Sequence, residues 1–269
     1  KQNNTTSMET RKENYLFDAE KTANELIQWV KDLFQGYGPD VKAILGMSGG
    51  KDSTVAAAVL CKALGASRVI GVAMPSNNQS VNDADKICKH LGMKMLTINI
   101  GSAFDTLASS INADGNMQLS QASEQNIPPR LRMTTLYAIG QTYNCRVVNT
   151  CNLSEDYIGY ATKFGDGAGD FSPLAKLTVT EVLAIGDYLE VPYEWVHKTP
   201  DDGLPHSCPD EEKIGFTYAE LDMYIRTGKA PSGYVHNNEA EGLKADKIDR
   251  MNRQTLHKLQ PMPTFDMSN

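Results

Sequence analysis

One stretch of this 269-residue chain gathers residue types suited to holding polyphosphate: Gly46-Met47-Ser48-Gly49-Gly50-Lys51-Asp52-Ser53. Two adjacent glycines let a backbone approach phosphate closely. If the turn opens a helix, its amide N–H groups converge on the anion and the helix dipole favours the negative charge. Ser48 and Ser53 add hydroxyl donors, and Lys51 adds a positive charge. Asp52 repels a polyphosphate unless a cation stands between them, so it implies Mg²⁺. Two other chemistries compete for the same residues. A Walker loop needs four residues before its Gly-Lys-Ser/Thr end, but only three separate Gly46 from Gly50, and Asp52 stands where the hydroxyl belongs. A nucleophile elbow, G-x-S-x-G, fits Gly46, Ser48 and Gly50. It would make Ser48 the nucleophile of a hydrolase, with an Asp and a His such as His257 completing a triad, although no spacing specifies those partners. A plain glycine turn with a capping Asp-Ser pair is the bland reading.

Such a turn needs elements to hold it. Tyr15, Ala19, Leu26, Ile27, Val30, Leu33 and Phe34 recur at helical spacing and predict a helix over 14–35 that Gly36 stops. Residues 41–47 predict a strand running into the glycine turn, and the apolar run from Ser53 predicts a buried helix. Residues 68–74 follow as a strand, then 80–91 as a helix capped by Ser80 and ended by Gly92. Strands over 94–100 and 146–150 flank a helix over 129–141. Thr178 and Glu181 form a capping box opening a helix over 178–189. This alternation predicts an α/β fold, a doubly wound parallel sheet flanked by helices, with ligands at the carboxyl ends of its strands. No repeat or linker interrupts it, so residues 1–269 are expected to form one domain, with 1–13 a frayed polar arm.

Bulk properties narrow the function. Hydrophobic content of 41% and charged content of 22% are those of a globular protein. The net charge of -7 argues against a generally basic nucleic-acid surface. No apolar run is long enough to cross a membrane, and the first residues contain no apolar leader core. Five cysteines without a C-x-x-C pair suggest reduced thiols in a cytoplasmic enzyme rather than a disulfide frame or a zinc site.

Ser48-Gly49-Gly50-Lys51-Asp52-Ser53 resembles the signature of the ATP pyrophosphatases, which cleave ATP between its α- and β-phosphates. Downstream segments resemble the NAD synthetases among them: Met74-Pro75 with Gln79, Pro129-Arg130-Leu131-Arg132-Met133, Asn149-Thr150-Cys151-Asn152-Leu153-Ser154-Glu155, residues 162–170, and His257-Lys258. The resemblance implies that ATP is bound by residues 46–53 (Gly46, Met47, Ser48, Gly49, Gly50, Lys51, Asp52, Ser53) with Met74, Gln79 and Thr150. It implies that Asp52 and Glu155 hold Mg²⁺ and, with Lys51, form the catalytic set. Deamido-NAD would be held by Arg130, Lys163, Asp170, His257 and Lys258. Residues two apart on a helix point to different sides, so Arg130 and Arg132 are expected to differ in role. The sequence departs from the family pattern where Val179 replaces a common lysine, where Asp201 replaces a nucleotide-contacting Thr or Ser, and where Ala73 replaces an arginine. Lys176 is the candidate substitute for the missing lysine.

The implied reaction is ATP-dependent amidation of deamido-NAD by ammonia through an adenylate, giving NAD, AMP and pyrophosphate. No glutaminase segment is evident, so ammonia is expected free or from a separate glutaminase. The family precedent is a homodimer, to which the apolar face of residues 14–35 is expected to contribute. The rivals are a tRNA-modifying adenylating enzyme, which generally wants a basic surface and reactive cysteines, a serine hydrolase using Ser48, and a non-catalytic nucleotide sensor.

Overall fold

Four short apolar segments pair side by side. In the computed structural model, β1 (Lys42–Gly46), β2 (Val69–Ala73), β3 (Lys94–Thr97) and β4 (Cys145–Val147) form a wholly parallel sheet in the order β3-β2-β1-β4. The structure describes residues 15–114, 117–198, 210–235 and 242–265. All five residues of β2 are buried, as expected of a strand covered on both faces. Helices make the crossovers: α2 (Lys51–Leu64), α3 (Asn82–Leu91), α4 (Gly101–Asn112) and α5 (Gln121–Thr142), preceded by α1 (Ala19–Tyr37). The remaining elements are α6 (Leu153–Ile158), α7 (Val179–Tyr188), α8 (Tyr193–Val196), α9 (Asp210–Ile214), α10 (Tyr218–Thr227), the hairpin strands β5 (Tyr234–Val235) and β6 (Gly242–Leu243), and α11 (Lys244–Thr255).

The strand order is that of a doubly wound fold. The chain moves outward from β1 to β3, then returns to place β4 on the other side of β1. A crevice opens at that reversal, beyond the carboxyl ends of β1 and β4.

The two sheet faces are covered unequally. On one, α2 presents eight consecutive buried residues from Ser53 to Leu60, because it lies between the sheet and α1, α7 and α8. Ala23, Val30 and Phe34 of α1 are buried in this cluster, with Leu26, Ile27 and Leu33 half-buried beside them. On the other face α5 buries only Leu136 and Gly140, over a smaller cluster of Ile44, Ile70, Val72 and Val147. A third cluster, with Ile158, Val179, Phe216, Leu221 and Ile248, joins α6, α7, α10 and α11.

Several element ends differ from the sequence expectation. Helix α1 runs through Gly36 and stops at Gly38, whose φ of 110° suits only glycine. Helix α2 begins at Lys51, with Gly50 as its cap, so Lys51 and Asp52 already belong to the first helical turn. Ser80 accepts a hydrogen bond from the Asn82 amide at 3.3 Å, but Val81 holds the cap position of α3. Helix α5 starts two turns before Pro129. Ser120 accepts from the Ser123 amide at 3.2 Å as its cap, and Pro128 and Pro129 lie inside the helix. The capped α7 is found as expected, with the Thr178 amide donating to Glu181 Oε2 at 2.9 Å.

Glu181 is also the centre of a buried polar network. Tyr15 donates to it at 2.5 Å and Arg226 at 2.6 and 2.5 Å, which joins the chain before α1 to α7 and α10. Among the described residues, no helix is long and apolar enough to cross a membrane.

Candidate functional site

The chain leaves β1 at Gly46 and turns into α2 within four residues. Gly49 takes φ 80°, and a β-carbon there would stand 3.0 Å from the Asp83 β-carbon, so both backbone and space select glycine. Ser53 and Thr54 hydroxyls donate to the Gly50 carbonyl at 3.1 and 2.7 Å, which fixes the first turn. Ser48 Oγ accepts from the Gly50 amide at 3.2 Å and lies 3.1 Å from Ser53 Oγ. The loop opens into a cleft of about 750 Å³, lined by Gly46, Met47, Ser48, Met74, Gln79 and Thr150 from the expected ATP set. None of the described lining residues is a histidine, and Ser48 is hydrogen-bonded to the loop itself. A nucleophile elbow needs a base within reach, so the geometry disfavours the hydrolase reading.

Asp52, Lys51 and Glu155 meet beside this loop. Lys51 Nζ lies 2.9 Å from Asp52 Oδ2 and 3.8 Å from Glu155 Oε1. Asn152 ties the two acids together. Its Nδ2 donates to Asp52 Oδ1 at 3.0 Å, while its Oδ1 accepts from the Glu155 amide at 3.0 Å as the cap of α6. Burial pushes the Glu155 carboxyl well above the usual range. The negative charge of Asp52 adds to the shift, and Lys51 opposes it. Two carboxyl groups beside one ammonium offer hard oxygen donors, and burial with the neighbouring Asp52 charge disfavours ionisation of Glu155 unless further positive charge is supplied. That is the chemistry of a donor set for a small divalent cation completed by phosphate oxygens. No larger His, Cys, Asp or Glu cluster occurs among the described residues.

The expected dinucleotide residues gather partly at a second place. Arg130 Nε donates to the Lys163 carbonyl at 3.3 Å, and Lys163 Nζ to the His257 carbonyl at 2.8 Å. Lys258 Nζ donates to the carbonyls of Gly159 and Ala161 at 2.7 and 2.9 Å, holding the 162–170 loop from its start. Within that loop Phe164 is 59% exposed with φ 60°, a costly conformation for an aromatic residue. Asp170 stands apart. Its carboxylate accepts from the Val147 amide at 2.7 Å and from the Tyr137 hydroxyl at 3.3 Å, at the end of β4.

Lys176 is exposed, and its carbonyl accepts from Arg226. Val179 is buried in the third apolar cluster and Ala73 in the core under the cleft, so neither offers a polar contact. Asp201 lies outside the described residues.

Four residues in or near the site had no role in the sequence reading. Arg132 donates to the Met74 carbonyl at 3.1 Å and to Gln79 Oε1 at 3.4 Å, so it holds the 74–79 loop while Arg130 turns toward 162–170. Asn152 was detectable as a helix cap three residues before an acid. Asp83 and Lys198 line the cleft from segments 115 positions apart, and no local pattern signals their meeting.

A profile of the NAD synthase family matches residues 22–262. An NH(3)-dependent NAD(+) synthetase of Carboxydothermus hydrogenoformans is 34% identical over 241 residues, 89% of this chain and 94% of that protein. Among solved structures, NMN synthetase from Francisella tularensis superposes with a TM-score of 0.81 at 32% identity, covering 94% of this chain and all of that one. An NAD+ synthetase from Burkholderia pseudomallei gives 0.69 at 28% identity over 91% of each chain.

Proposed function

The chain belongs to the NAD synthase family, and on that premise we propose that it amidates deamido-NAD with ammonia at the expense of ATP, releasing NAD, AMP and pyrophosphate. The observation that carries this reading is the 46–53 loop. Its amides and hydroxyls sit at the start of α2, at the reversal of the strand order, open to a cleft of about 750 Å³.

A carboxylate oxygen is too poor a leaving group for ammonia to displace. The nicotinate carboxylate therefore attacks the α-phosphate, and the bond to the β-phosphate breaks. Pyrophosphate leaves into the amides that follow Gly46, where Ser48 and Ser53 add hydroxyl donors. Ammonia then adds to the acyl carbon and AMP departs with the former carboxylate oxygen. Positioning and charge neutralisation carry such chemistry, and no covalent enzyme nucleophile is required. Asp52 and Glu155 would hold Mg²⁺, which when bound neutralises charge on the departing pyrophosphate. Asn152 fixes both carboxylates for that role. The 162–170 loop, tied down by Lys163 and Lys258, is suited to keeping water from the adenylate.

A second acceptor is favoured by the likeness to an NMN synthetase, since the same steps amidate nicotinate mononucleotide. The test supplies purified protein with ATP, Mg²⁺, ammonium and either the mononucleotide or the dinucleotide. Formation of AMP and pyrophosphate with one amide per ATP is expected, and the ratio of kcat/KM values names the acceptor. Glu155→Gln is expected to lower kcat by about 100-fold or more, as loss of a preorganised charge contact in the transition state does. Release of ADP and phosphate would defeat the adenylate route.

A homodimer is part of the same proposal. The support is the thinly covered sheet face, where Phe104, Ala108 and Ile111 of α4 and Ile127 and Leu131 of α5 are only half-buried.

A further inference from the structure

Two cations line the cleft among the described residues, Arg132 and Lys198. Arg132 is engaged by the Met74 carbonyl and Gln79 at the 74–79 loop. Lys51 follows the glycines directly, but its ammonium sits between Asp52 and Glu155. Lys198 differs in its setting. It comes from the segment after α8 and reaches across the cleft to Asp83 on the first turn of α3, with Nζ 2.5 Å from Oδ2. Asp83 is itself placed by the phosphate loop, because its β-carbon packs against Gly49. A bare carboxylate there would repel a polyphosphate held by the loop amides. The ammonium offsets that charge and, with three donors, can keep Asp83 while adding a phosphate oxygen. Side-chain exposures of 40% for Lys198 and 37% for Asp83 leave the pair open to an incoming anion.

We propose that Lys198 is an ATP-phosphate ligand, with Asp83 as the positioning residue that suspends its ammonium over the glycine loop. This rests on the reading of the cleft as an ATP site, but not on which acceptor is amidated. The departures at Val179 and Ala73, both apolar and buried, leave room for a cation supplied from elsewhere in the fold.

The experiment measures ATP binding by calorimetry and steady-state KM values for both substrates in wild type, Lys198→Met, Lys198→Arg, Asp83→Asn and the double variant. Loss of a charge-assisted contact predicts a Kd for ATP raised about tenfold or more in Lys198→Met. Lys198→Arg should stay closer to wild type. The double variant should bind ATP more tightly than Lys198→Met alone, because it also removes the bare carboxylate. KM for the carboxylate acceptor should change less than Kd for ATP. The idea is overturned by an unchanged Kd for ATP in Lys198→Met, by a double variant no better than the single, or by parallel losses for both substrates with a lowered Tm. Wild type that binds ATP tightly yet forms no amide would refute the proposed reaction and leave this inference standing.

Discussion

Asp52 and Asn152 are 100 positions apart, yet a hydrogen bond joins them, and the same Asn152 caps the turn that carries Glu155. The same scale governs the cysteines. Burial pushes the Cys61 thiol up to about 12 and Cys88 up to about 11, with smaller contributions from neighbouring negative groups, and raises Cys145 and Cys151 as well. A thiolate is the reactive form. At pH 8 these four sites are expected to label with iodoacetamide at least about tenfold more slowly in the native protein than in urea, read by peptide mass spectrometry. The linkage has a definite sign. A thiol whose folded pKa lies above its ordinary value holds its proton longer in the native state. The contribution of the thiols to stability is therefore full below about pH 9 and falls as pH climbs from there toward 12. A denaturation midpoint unchanged between pH 8 and pH 11 would contradict the burial.

Among the elements, α2 is the one on which the site depends. It carries Lys51 and Asp52 in its first turn and is clamped by α1, α7 and α8 along a face made of alanine and valine. Close approach is possible because α7 has glycine at the crossing. A β-carbon on Gly186 would meet Val55 and Val196 methyls at 2.9 Å. Gly186→Ala should therefore overpack the junction and cost about 1–3 kcal/mol, seen as a lower urea midpoint with an unchanged m value. The effect on kcat should be smaller than that of Glu155→Gln, because the glycine loop is held by its own hydrogen bonds.

At the scale of the whole molecule, the unequal covering of the sheet is the feature with a consequence. One face carries α2 with α1, α7 and α8 packed over it, whereas on the other α4 and α5 leave a half-buried apolar stripe. Sedimentation equilibrium is expected to give twice the 29.5 kDa chain mass. Charged substitutions at Phe104 and Ile111 should return it to the single mass, whereas an equivalent change at the fully buried Val30 should damage folding instead. A monomer at micromolar concentration would remove the dimer from the proposal.

Local chemistry determined much of this protein by itself. Glycine spacing after an apolar run, the Thr178–Glu181 cap and the alternation of strand and helix patterns depend on neighbours within a few residues, so the glycine turn between β1 and α2 and the doubly wound sheet were legible in one dimension. Other features were not. Helix α5 starts at the Ser120 cap and runs through both of its prolines, against the local breaker signal. Asp170 is tied to β4 and stands apart from Lys163. Lys198 meets Asp83 only because the segment after α8 ends beside the first turn of α3. Side chains from distant segments converge where the sheet reverses direction, and that convergence is set by packing, which no short stretch of sequence encodes.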